Sequence, residues 1–241
     1  MIFNKDIKMA DVILSNHHLL SVFTRFGINL GFGDKTIEEV CMENNVNADF
    51  FLEIVNAFNE PEYHPENHLQ MFPLSLIITY LKNTHSYYLN RKIPEIQSLI
   101  TTLLEENKDL RIKELTLINN FFGEYQQHLK THIEREEKIV YPYILKLEQY
   151  FNNPQSLADG EIEELRTYAI GRYVEEHDDI EESLLDLKTL MIKYLPPLKN
   201  NILCYKILGQ VGHLEKDIND HSNLENRILI PRVQFMETKL N

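Results

Sequence analysis

Apolar residues recur along this chain every three to four positions, the spacing that places them on one side of an α-helix. From Asp11 to Phe26 the positions Val12, Leu19, Leu20, Phe23 and Phe26 follow it, and Gly27 comes where a helix would stop. Capping side chains at Asp34-Lys35-Thr36 predict a second short helix, and residues 47–58 a third. The stretch from Asn59 to Asn67 holds two prolines among polar residues and reads as a linker. Four long helical segments follow. They run from Pro73 to Arg91, resuming past a kink at Pro94 to Glu106, from Leu110 to Tyr150, from Glu161 to Tyr194, and from Asn200 to Lys239. Asn152-Asn153-Pro154, Asp159-Gly160 and Pro196-Pro197 supply the turns between the later ones. The pattern predicts an all-α chain. A small helical N-terminal domain covers 1–60, a linker 61–70, and an up-down-up-down four-helix bundle 71–241.

Composition sharpens this picture. With 241 residues, only 8 glycines and few runs of strand-forming residues, the helical reading stands without a competing sheet. The formal net charge is −13, which repels phosphate backbones and anionic lipid, so neither nucleic acid nor membrane is expected as a partner. No apolar run approaches a membrane span, and the first six residues lack the apolar stretch of a signal peptide. The 2 cysteines, Cys41 and Cys204, form no CxxC pair, so disulfide scaffolding and thiolate zinc sites are not expected and a reducing cytoplasm fits.

The informative feature is an internal repeat. His132, Glu136 and Pro142 read His-x3-Glu-x5-Pro, and so do His221, Glu225 and Pro231. One such match is expected on the order of 0.03 times by chance at this composition. Residues i and i+4 lie one turn apart on one helix face, so each pair aims an imidazole and a carboxylate at one point. Two surface salt bridges would have the same spacing but would not explain the proline at the same offset. In the first and third segments His85 and His177 stand where they would join them. The expected ligand set is His85, His132, Glu136, His177, His221 and Glu225. Nitrogen and oxygen donors without thiolate suit iron or manganese, and two carboxylates suit a pair of ions. Two divalent ions leave charge to be balanced by an oxo or hydroxo bridge, an exogenous ligand, or a nearby acid such as Glu176. His128, one turn before His132, is a supporting donor, a seventh ligand or merely adjacent. Tyr87, Tyr88, Tyr141, Phe121 and Phe122 are expected in the core, and His17, His18, His64 and His68 on the surface.

These motifs resemble the hemerythrin-like superfamily, and more closely the iron–sulfur-cluster-repair di-iron proteins (RIC, or ScdA/YtfE type). The resemblance rests on His132 to Pro142, on Glu176-His177-Asp178, and on His221 to Pro231. It implies that Glu136 and Glu225 bridge two irons held by His85, His132, His177 and His221. Oxygen-carrying members have a histidine four residues before the third-helix ligand, where this chain has Tyr173, which becomes a candidate supporting residue. The resemblance also has a gap. The family shows Gly-Ile-Asp-aromatic-Cys-Cys-Gly-Gly, and here Gly27-Ile28-Asn29-Leu30-Gly31-Phe32-Gly33-Asp34 lacks both cysteines, although Cys41 matches a family position. Thiol chemistry at that pair is therefore not carried over.

The resemblance implies a cytoplasmic non-haem di-iron protein that binds nitric oxide or O2 under nitrosative or oxidative stress, or supplies iron to damaged iron–sulfur proteins. Whether it turns over substrate is left open. A non-enzymatic sensor or gas-binding module is the alternative reading, and a metal-free helical interaction protein a third. The oligomeric state is left open; the small N-terminal domain is a reasonable element for a homodimer.

Overall fold

The computed structural model describes residues 1–60, 62–63, 65–110, 113–168, 170–175 and 180–240, the side chains of 66–67, 172, 174–175 and 180–183 excepted. Helix is the regular structure throughout the described residues, with a single β-bridge between Lys8 and Thr36. The chain divides into two compact units, Met1–Thr84 with Glu225–Arg232, and His85–Leu224 with Val233–Asn241.

In the first unit, α1 (Met9–Ser15) and α2 (Leu20–Arg25) are separated at Asn16, whose φ of −152° leaves the helical region. One expected helix is thus two, joined by a 3-10 turn over His17–Leu19. Past α2, Gly27 at φ +70° lets the Ile28 N–H reach the Phe23 carbonyl at 3.0 Å and close the helix end. Helix α3 (Ile37–Glu43) starts in a reciprocal cap. The Glu39 N–H donates to Thr36 Oγ1 at 3.3 Å, and the Thr36 N–H donates to Glu39 Oε2 at 2.8 Å. Thr36→Ala should therefore cost about 1 kcal/mol in urea unfolding, with Thr36→Ser restoring it. Equal midpoints for Ala and Ser would show that the cap adds nothing. Helix α4 (Ala48–Asn59) presents Phe50 and Phe51 to Phe26 at ring separations of 5.9 and 5.1 Å. A single turn, α5 (Glu66–Leu69), lies in the stretch read as linker, and α6 (Leu74–Tyr87) follows.

The second unit contains the bundle. Helices α7 (Ile93–Asn107) and α8 (Lys113–Arg135) pack on each other. Beyond α8 come α9 (Tyr141–Asn152), α10 (Asp159–Thr167), α11 (Ile170–Glu175), α12 (Ile180–Tyr194), α13 (Asn201–Leu224) and α14 (Ile230–Leu240). Helix α12 packs on α8 and α13, and α13 on α7, so α7, α8, α12 and α13 close into a four-helix ring. Short connections make neighbours antiparallel. Lys199 N–H, just before α13, donates to Asn107 Oδ1 at the end of α7, at 3.1 Å. The interior is aliphatic and aromatic, with Ile96, Ile118, Phe122, Leu187, Ile207 and Leu214 all fully or almost fully buried. Among the described residues no helix is long and apolar enough to cross a membrane.

The third long segment differs from the expected continuous helix. It breaks at Tyr168, which turns extended at φ −88°, ψ 140°. Tertiary bonds hold the break. Glu237 Oε1 accepts from the Ile170 N–H at 2.8 Å and from the Tyr143 hydroxyl at 2.6 Å, and the rings of Tyr143 and Tyr168 lie 4.4 Å apart.

A second difference touches the site directly. Tyr88–Lys92, Glu136–Val140 and Glu225–Leu229 each form a π turn inside an otherwise α-helical rod. Pro94, Pro142 and Pro231 stand at the second residue of the α-helix after each. A proline lacks the N–H for the α-helical bond and its ring crowds the carbonyl four residues back; the wider turn relieves both. The prolines therefore mark widened turns rather than simple kinks.

Candidate metal centre

His85 lies in the last turn of α6 and is 1% exposed, and His132 lies in the last turn of α8. Glu136 opens the π turn that follows α8 and is completely buried. His221 lies in the last turn of α13, and Glu225, also buried, opens the next π turn one helical turn further along the same rod.

Glu136 divides its carboxylate between two imidazoles. His132 Nε2 lies 2.9 Å from Oε1, and His85 Nε2 lies 3.1 Å from Oε2. His221 Nε2 is 3.2 Å from His85 Nε2. Donor atoms of His85, Glu136 and His221 all fall within 4.8 Å of one another, and all three residues are buried. A carboxylate stripped of water costs several kcal/mol unless opposite charge or donors replace the hydration. Burial alone would push the Glu136 carboxyl up; the bonds from His132 and His85 outweigh it and hold the carboxyl well below the usual range.

Other side chains hold these groups in place. The hydroxyl of Tyr173, itself 2% exposed, donates to Glu136 Oε1, and the guanidinium of Arg135 stands 5.6 Å over the Tyr173 ring. Tyr141 stacks on His85 at 5.7 Å with the planes 8° apart. Glu137 Oε1 meets His85 Nδ1 at 2.9 Å. Tyr88 donates to the Asp217 carbonyl at 2.8 Å, one turn before His221.

His85, His132, Glu136 and His221 are thus together, and Tyr173 touches them. His128 is exposed on α8. His177 and Glu176 lie outside the described residues, as does His64. His17 and His18 are exposed, and His68 pairs with Glu53 at 3.1 Å. Glu137 follows Glu136 in the His132 to Pro142 motif, but only the fold shows that it faces His85. Both cysteines are buried, burial pushes the Cys41 thiol up to about 12, and among the described residues neither joins a cluster of possible ligands. Gly31 adopts φ +109°, a conformation any side chain would strain, and Phe32 packs its ring 5.9 Å from Phe23.

Buried imidazole nitrogen and carboxylate oxygen fit a divalent first-row cation, and the partners of His85 and Glu136 supply the orienting bonds such ligands need. A ring of four antiparallel helices with such a cluster defines a metal-binding bundle. Residues 76–233 match the hemerythrin HHE cation-binding domain, and the chain belongs to that family. The chain is also similar to the iron–sulfur cluster repair protein ScdA of Staphylococcus haemolyticus (strain JCSC1435), 19% identical over 232 residues, which span 95% of this chain and 98% of that protein.

Proposed function

We propose that this protein is a non-haem di-iron protein of the iron–sulfur cluster repair type. The observation that carries the proposal is the split carboxylate of Glu136, with one oxygen facing His132 and the other facing His85. A carboxylate so placed serves one cation through each oxygen. His85 and His221 would hold one ion and His132 the other, with Glu136 shared. Glu225 joins by its place one turn after His221, and His177 by its sequence motif. An iron held there would supply one-electron chemistry toward NO or O2. The protein's own part is to keep the donors dry, to fix their orientation through Tyr173, Glu137 and Tyr88, and to place the carboxylate between two imidazole groups. The similarity to a cluster repair protein along nearly the whole chain supports damaged iron–sulfur proteins as partners.

Metal analysis after expression in iron-rich medium should find about two irons per chain. A protein that folds and carries none under those conditions would end this reading. One observation favours a second reading, a gas-binding sensor. With Gly31 and Phe32 where the family pairs cysteines, the N-terminal unit has no thiol there to pass iron on. Catalytic loss of NO with a reductant supports the repair enzyme; one-time stoichiometric binding supports the sensor.

A further inference from the structure

Two adjacent acids at the end of α8 part company. Glu136 is fully buried among the imidazoles, while the side chain of Glu137 is 37% exposed. Glu137 nevertheless reaches the site, through the outer edge of a ring whose inner edge belongs to it. Its Oε1 lies 2.9 Å from His85 Nδ1, and the opposite ring nitrogen, Nε2, faces Glu136 and His221 at 3.1 and 3.2 Å. An imidazole can offer a lone pair to a cation from one nitrogen only when the other carries the proton. A carboxylate on Nδ1 holds that proton there, stops the ring from flipping, and makes Nε2 a stronger donor. The stacked ring of Tyr141 restricts tilting, and its hydroxyl stands 3.5 Å from Nε2, a longer contact than the carboxylate makes with Nδ1.

We propose that Glu137 is a positioning residue for His85, and that it acts on only one of the two cation positions, the one His85 shares with His221. This rests on the two-cation reading above. Glu137 bonds His85, a ligand of that position, whereas His132 holds the other, so the second equivalent should be far less affected.

The test is a Co(II) titration of the metal-free protein against a competing chelator, following the visible cobalt bands. In Glu137→Gln the amide oxygen still accepts from Nδ1 but the charge is gone, and in Glu137→Ala both are gone. One equivalent should weaken by about 10-fold in the Gln variant and about 100-fold in the Ala variant, the range typical of an outer partner of a ligating histidine. The other equivalent should hold within about 3-fold. Glu134→Gln, which removes an exposed acid paired with Lys138 at 2.7 Å, controls for charge alone and should change neither. Two unchanged equivalents in both Glu137 variants overturn the proposal. So does equal weakening of both, which would mark a general structural defect. If the unaltered protein binds a single equivalent, the two-cation reading falls; the role of Glu137 then stands if that equivalent weakens in the order Gln, Ala, and falls if it does not.

Discussion

Glu136→Ala should leave a folded protein that no longer retains metal. The carboxylate is bonded to both His85 and His132, so its loss removes a donor from each cation position at once. Affinity should fall by more than the roughly 10–100-fold typical of losing an outer partner. For the stability of the metal-free protein two effects of opposite sign compete. Removal relieves a buried charge but leaves two imidazoles and the Tyr173 hydroxyl short of an acceptor, at about 1–3 kcal/mol per group. Metal-dependent stabilisation, about 2.7 kcal/mol at a metal concentration 100 times Kd, should vanish. Elemental analysis after dialysis, with thermal unfolding with and without added metal, reads both effects. Full metal content in the variant would show that the ligands have been misassigned.

Phe122→Ala should do the opposite, lowering stability steeply while sparing the metal. Phe122 is fully buried in the four-helix ring and stacks on Tyr125 at 6.0 Å. Truncating a buried phenylalanine costs about 3–5 kcal/mol, because the close-packed interior only partly refills the space. At about 2–4 °C per kcal/mol for a chain of this size, the melting midpoint should fall by roughly 6–20 °C. Below that midpoint the cobalt stoichiometry should match that of the unaltered protein. A loss under about 1 kcal/mol would mean that the ring collapses freely around the gap.

The two variants separate what holds the rods together from what the rods hold. The first was legible in the sequence, because Ile93, Ile96, Ile100 and Leu103 on α7, and Leu115, Ile118, Phe122 and Tyr125 on α8, recur every three to four positions, and Pro196-Pro197 stops α12 where expected. The convergence of His132 on Glu136 was legible for the same reason, since a one-turn spacing permits little else. What could not be read was anything decided by a neighbour distant along the chain. Tyr168 leaves the helix, and contacts from Tyr143 and Glu237 secure the break. Asn16 interrupts the first predicted helix, and its side chain bonds Asn59 at 3.1 Å. Glu137 is one glutamate among many until His85 arrives beside it. Tyr141 looks like any core aromatic until its ring is seen lying parallel to an imidazole.

The π turns carry a consequence for how one rod meets two demands. Each takes up one more residue than an α-helical turn, so the angular phase of buried positions slips as the chain passes through. Neighbours in sequence are buried together where each π turn gives way to the next α-helix. Lys92 and Ile93 are such neighbours, as are Val140 and Tyr141, and Ile228, Leu229 and Ile230. Upstream of two of the slips, α8 and α13 are packed into the four-helix ring; downstream of the other, α7 is. Three such phase resets let the stretches carrying His85, Glu136 and Glu225 be rotated independently of the helices that continue past them.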